Sequence, residues 1–181
     1  MRSALILIDI QNDYFPGGKM ELVNMEHAAS NAQQLLNHFR NEKLPVFHIQ
    51  HISLRANATF FIPNTQGVEI HTLVKPSVDE TIITKHYPNS FRDTDLDKQL
   101  KQHGIEKLII CGAMSHMCID TTTRAAFDLA YQSVVISDAC ATKNLSFDGM
   151  HVPAEQVHAA YMAGLHGLFA EVVLLSSFIL T

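Results

Sequence analysis

The sequence predicts a three-layer α/β fold on a mainly parallel sheet. Two observations carry this. Short apolar runs of strand length recur along the chain, several with no polar alternation and so without a solvated face. Between them lie stretches whose apolar residues repeat at helical spacing, and strands alternating with helices imply right-handed crossovers with helices on both sheet faces.

The first strand, Ala4 to Ile8, ends in Asp9, a carboxylate that is costly to bury without a task. Gln11 to Gly18 follows as a loop, with Pro16-Gly17-Gly18 as turn chemistry. A covering helix spans Glu26 to Arg40, its stripe formed by Ala28, Ala32, Leu35, Leu36 and Phe39. Pro45 to Ile52 is the second strand. Arg55 to Lys75 is a loop-rich insert whose Phe60, Phe61 and Pro63 suit a cover over a pocket. The third strand, Thr81 to Thr84, ends in Lys85, and a loop to Phe91 leads into a helix from Thr94 to His103, stopped by Gly104.

The central stretch is Leu108 to Tyr131. Leu108 to Gly112 reads as a strand buried on both faces, Ala113 to Met117 as a turn, and Ile119 onward as a helix with Ile119, Ala126 and Leu129 at helical spacing. That turn delivers Cys118 to the start of the helix, where the dipole and unpaired N–H groups are expected to lower a thiol pKa. Cys118 is therefore a candidate nucleophile, the plainer reading being a small residue filling a junction. The fifth strand runs from Ser133 to Ser137, ahead of Asp138-Ala139-Cys140. After a loop, Pro153 opens a last helix with Val157, Ala160, Tyr161, Gly164, Leu165 and Leu168 on one face, and Val172 to Leu175 is the sixth strand.

At 181 residues the chain fits one domain, 1–181, with no linker or composition shift. A net charge of -5 with scattered Lys and Arg argues against nucleic acid and against a basic membrane patch, leaving small molecules as partners. The apolar runs are too short for a membrane span or a signal-peptide core, so a cytoplasmic protein is expected. Three cysteines at no metal-ligand spacing fit a reducing compartment. Of the eleven histidines, His48 and His51 are the closest pair on a strand. Residues three apart on a strand face opposite ways, so no bound metal and no cofactor is expected.

Ligands of an open parallel sheet bind at the carboxyl ends of its strands, near the switch in strand order. Asp9, Lys85 and Cys118 all fall there. In the order 3-2-1-4-5-6, Asp9 neighbours Cys118, while Lys85 starts two strand spacings, about 10 Å, from the first strand.

Ile8-Asp9-Ile10-Gln11-Asn12-Asp13-Tyr14-Phe15 with Gly18, then Lys85 with Phe91 and Thr94, then Gly112 to Cys118 with Thr122, Arg124 and Ala126, resembles the isochorismatase-like cysteine hydrolase family. The resemblance spans the chain. It implies a Rossmann-like six-stranded sheet of order 3-2-1-4-5-6, an Asp9-Lys85-Cys118 triad and a cis peptide at Ala113-Met114. Asp9 would take the thiol proton, Lys85 stabilise the charged pair, and the backbone N–H groups of Met114 and Cys118 receive the oxyanion while a small amide-type substrate passes through a thioester.

Nicotinamidases in this family carry an Asp-x-His metal motif after the second strand, where this chain has His51 and Ser53. True isochorismatases, which cleave a vinyl ether, commonly lack the cysteine. Phe15, Phe91, His116 and Met117 are candidate pocket residues; Phe15 and Phe91 fit the core equally, and His116 is a rival base. Two alternatives stay open: vinyl-ether hydrolysis with Cys118 incidental, and a non-catalytic binding or thiol-redox protein on the same fold. A homo-oligomer, dimer or tetramer, is expected, with the apolar tail Val172 to Leu180 as interface or buried strand.

Overall fold

The computed structural model describes residues 1–179. β1 (Ser3–Ile8) and β4 (Lys107–Ala113) lie side by side at the centre of the sheet, because both are apolar on both faces and are buried almost throughout. β2 (Val46–His51) pairs with β1, and β3 (Thr81–Lys85) forms one edge, where its burial alternates as expected for a strand with one exposed face. β5 (Gln132–Ala141) flanks β4, and β8 (Glu171–Val173) forms the other edge. All pairings in this six-stranded sheet are parallel, in the order β3-β2-β1-β4-β5-β8. The strand order is the expected one, with β8 as the sixth strand.

α1 (Met25–Asn41) buries Ala28, Ala32, Leu35, Leu36 and Phe39, its expected stripe. It packs with α5 (Leu175–Ile179), whereas α3 (Asp120–Asp128) packs with α4 (Ala154–Leu165). Right-handed crossovers place these two pairs on opposite faces. α2 (Leu96–Gln102) is shorter than expected, and Tyr131 Oη ties it to the end of α3 by donating to Asp97 Oδ1 at 2.9 Å.

Five expectations are corrected. β5 continues four residues past Ser137, because Asp138 and its neighbours bond across to other elements: the Asp138 carbonyl accepts from Asn31 Nδ2 and its carboxylate from Leu175 N. The stretch before α4 is an antiparallel hairpin, β6 (Leu145–Phe147) and β7 (Met150–Val152). α4 buries Ala154, Val157, Met162 and Leu165; Ala160 and Gly164 are exposed, and Leu168 lies beyond the helix end, which stops at Leu165. Leu129, likewise, is a partly exposed cap residue past α3. The tail expected as one apolar element divides into β8 and α5, and Leu180 lies outside the described residues. Among the described residues no helix is long and apolar enough to cross a membrane.

Candidate active site

Asp9 follows the last residue of β1 with φ at 52°, a left-handed conformation that Asp tolerates better than most residues. The turn is fixed on both sides: Asp9 N donates to Ile49 O, and Gln11 N donates back to Asp9 O. Lys85 closes β3 directly beside His51 of β2 in the strand register. Cys118 sits in a single π-helical turn, Ser115–Ile119, between β4 and α3. π turns of this kind are frequent at functional sites. The peptide bond before that turn, Ala113-Met114, is cis.

Lys85 spans the gap between the strands. Its Nζ lies 2.8 Å from Asp9 Oδ2, 3.2 Å from Cys118 Sγ and 3.2 Å from His51 Nδ1, and also donates to the carbonyls of Tyr87 and Pro88. Burial works against its charge, but Asp9 and Cys118 outweigh this and hold the Lys85 pKa above its ordinary value. Asp9 Oδ1 has no hydrogen-bond partner among the described residues, leaving one carboxylate oxygen free to accept a proton.

The thiol behaves differently from the expectation drawn from helix position. Burial, and then the facing Asp9 carboxylate, push the Cys118 pKa well up, and Lys85 only partly opposes them. Both causes disfavour a standing thiolate. A thiolate therefore forms only as its proton leaves for a neighbouring base, and Asp9 is the neighbouring carboxylate.

Asp9, His51 and Cys118 bring three ligand-type atoms within 4.8 Å of one another. The Lys85 ammonium already contacts all three, so the cation at the centre of this donor set is supplied by the chain itself. His48 points away to Glu80, 2.9 Å from its Oε2, and does not join His51. Burial pushes the His51 pKa down to about 4, so it is a neutral ring accepting from Lys85.

Above these groups opens a pocket of about 210 Å³, with Cys118, Met114, Met117, His51 and Tyr14 among its walls. The 55–75 insert supplies the remaining wall through Arg55, Asn57, Ala58, Thr59 and Phe60. Phe61 is buried beneath, 4.6 Å from Tyr14 between ring centres, while Pro63 is exposed. Asp13 organises this layer: its carboxylate accepts from Phe61 N at 2.6 Å and Lys19 N at 3.2 Å. Gln11 joins β2 to the insert by donating to His51 O and Val68 O and accepting from His51 N.

Of the residues expected in the pocket, Met117 lines it, as does Met114, which was expected to supply a backbone N–H. Phe15 does not: it is buried and stacks on His71 at 3.6 Å. Phe91 stacks on Tyr131 instead, and His116 turns to Thr142 Oγ1 at 2.6 Å, outside the pocket. Sequence reasoning missed Tyr14, His51 as a partner of Lys85, and Arg55. Only His51 left a usable signal, since it ends β2 beside the strand that ends in Lys85.

Comparison with known proteins gives the family of the chain. Residues 3–176 match the family model of the isochorismatase domain. The uncharacterized isochorismatase family protein YddQ of Bacillus subtilis is 54% identical over 99% of both chains. A crystal structure from Oleispira antarctica superposes with a TM-score of 0.96 at 48% identity, covering 99% of this chain and 97% of that one. Nicotinamidase 3 of Arabidopsis thaliana is 25% identical over 94% of this chain and 84% of its own. The chain belongs to the isochorismatase family and is one of its hydrolases.

Proposed function

We propose that this hydrolase cleaves a small amide-type C–N bond through a Cys118 thioester, with Asp9 and Lys85 as its partners. The observation that carries the reading is Lys85 Nζ, held 2.8 Å from Asp9 and 3.2 Å from Cys118 at the floor of a small pocket. Similarity to a nicotinamidase, an amidase by name, supports the bond type.

In this scheme Asp9 accepts the thiol proton as sulfur attacks the carbonyl carbon. Lys85 keeps both anionic states of the pair tolerable in a buried site, and the backbone N–H groups of Met114 and Cys118 receive the oxyanion. Asp9 then gives its proton to the departing nitrogen. A water attacks the thioester, losing a proton to Asp9, and the acid product leaves as that proton returns to sulfur. His51, neutral and bonded to Lys85, keeps the ammonium aimed at the pair.

The test is Cys118→Ala assayed on a panel of small amides and ureides by ammonia release. Loss of turnover in a variant that keeps its circular dichroism spectrum is expected. Amide turnover that survives the substitution overturns the thioester route; a protein that releases no ammonia from any amide but hydrolyses a vinyl ether, with or without Cys118, returns the reading to Asp9–Lys85 chemistry on that bond.

A further inference from the structure

The pocket wall carries a charge that the scheme above leaves unused. Arg55 lines the same pocket as Cys118. No Asp, Glu or Lys is among the lining residues, and Lys85, buried beneath, is neutralised by Asp9. Arg55 itself makes no ion pair and no side-chain hydrogen bond among the described residues. The chain as a whole is net negative, at -5, so this cation is a local feature rather than a general one.

Arg55 shares the pocket lining with His51 and Cys118. After burial and Lys85, its charge and that of His86 help to disfavour protonation of His51, which sits 3.2 Å from Lys85 Nζ. His86 is anchored at the same rim, its Nδ1 donating to Ile52 O at 2.8 Å. The neighbouring walls, Phe60, Met114 and Met117, are apolar. Arg55 is exposed at the rim and free to turn to a bound ligand, and a neutral amide would meet it with one uncharged carbonyl oxygen. A carboxylate would meet the planar fork of the guanidinium with two parallel hydrogen bonds. The volume of about 210 Å³ is below the usual range for drug-sized ligands, so such a molecule is small.

We infer that the substrate is a small amide bearing a carboxylate, and that Arg55 receives that carboxylate while Cys118 attacks the amide carbon. This rests on the hydrolase reading above and names its substrate class.

Iodoacetate and iodoacetamide test it without knowledge of the substrate, because they differ only in a carboxylate against a carboxamide and both alkylate a thiol with loss of iodide. Labelling of Cys118 is followed by peptide mass spectrometry, with the buried Cys111 and Cys140 as internal references and N-acetylcysteine giving the intrinsic ratio of the two reagents. Relative to that ratio, Cys118 is expected to favour iodoacetate by about tenfold, the scale of one charge-assisted hydrogen-bonded contact. Arg55→Gln should return the ratio to that of N-acetylcysteine, and Arg55→Lys should retain part of the preference. A wild-type ratio equal to that of the free thiol overturns the carboxylate inference alone. A Cys118 that neither reagent labels overturns the nucleophile reading and this inference together.

Discussion

Lys85 Nζ and Asp9 Oδ2 lie 2.8 Å apart with both side chains at 0% exposure, which makes them a fully buried ion pair. Such a pair need not stabilise the fold, but removing one partner strands the other charge without solvent. Lys85→Met is expected to lower stability by about 3–5 kcal/mol, read as a shift in urea midpoint, and to abolish turnover. The double variant Asp9→Asn with Lys85→Met should recover much of that stability while remaining inactive. If it is no more stable than Lys85→Met, the two charges are not compensating one another.

Cys118 should make the stability of the protein sensitive to alkali. Its folded pKa is raised above the ordinary 9.0, first by burial and then by Asp9, and burial likewise raises Cys111 and Cys140. Above pH 9 the unfolded chain loses these protons while the native state keeps them, so the native state binds more protons and stability falls as pH rises, by about 1.4 kcal/mol per pH unit for each group. The urea midpoint should drop from pH 9 to 11, and Cys118→Ala should drop less steeply. Equal slopes would place the Cys118 titration at its free-thiol value.

The opposite end of the sheet carries the acid response. Glu80 accepts from Arg40 Nε at 2.7 Å, Arg40 Nη2 at 2.8 Å and Ser77 N at 2.8 Å, and faces His48 Nε2 at 2.9 Å. Burial opposes its charge, yet these donors win and hold its pKa down at about 2. His48 is pushed down by burial, and its Nδ1 has no partner among the described residues, so a second ring proton there would be stranded. Both groups bind fewer protons folded than unfolded. Stability is therefore lost as pH falls, first through 6.5 for His48 and then from 4.5 toward 2 for Glu80. Because Arg40 is partly open to solvent, Glu80→Gln is expected to cost about 1–2 kcal/mol at pH 7 and to flatten the acid limb of a denaturation series.

What the sequence discloses tracks how local the cause is. β1 and β4 were legible because a strand buried on both faces must be an apolar run, and β3, an edge strand, was legible from its short β-branched run up to Lys85. Asp9 and Lys85 follow as the residues at those strand ends, and Cys118 from the strand-turn-helix pattern after β4. The β6–β7 hairpin was also encoded, in Asp148-Gly149, which both take positive φ as a two-residue turn requires; the dipeptide was a readable signal that the long polar neighbourhood concealed. Pocket walls are another matter. Phe15 and Phe91 stand near Asp9 and Lys85 in sequence, but loop direction decides where a ring goes, and theirs stack on His71 and Tyr131. Arg55 reaches the pocket only because Asp13 and Gln11 hold the insert over the sheet. The raised thiol pKa was hidden for a similar reason, since the depth of burial at Cys118 depends on elements far away in the chain.

Gly112 is the position where backbone alone should decide whether the site forms. It lies in β4 at φ +123°, opposite Ile8 of β1, and a Cβ there would overlap the Ile8 carbonyl. The same residue marks a register irregularity against β5, between Ile110 and Gly112. Both features bring β4 close to β1 just before the turn that carries Cys118, and just beside the residue that precedes Asp9. Gly112→Ala must therefore adopt an unfavourable φ and also push apart two central strands, neither of which a flexible side chain can relieve. A loss of at least about 3 kcal/mol is expected by urea denaturation. Where the variant still folds, separation of the strands moves Asp9 from Cys118, so residual protein should show turnover reduced far more than its folded fraction. Alanine accepted at this position with unchanged stability and turnover would mean that the close approach of β1 and β4 does not set the geometry of the pair.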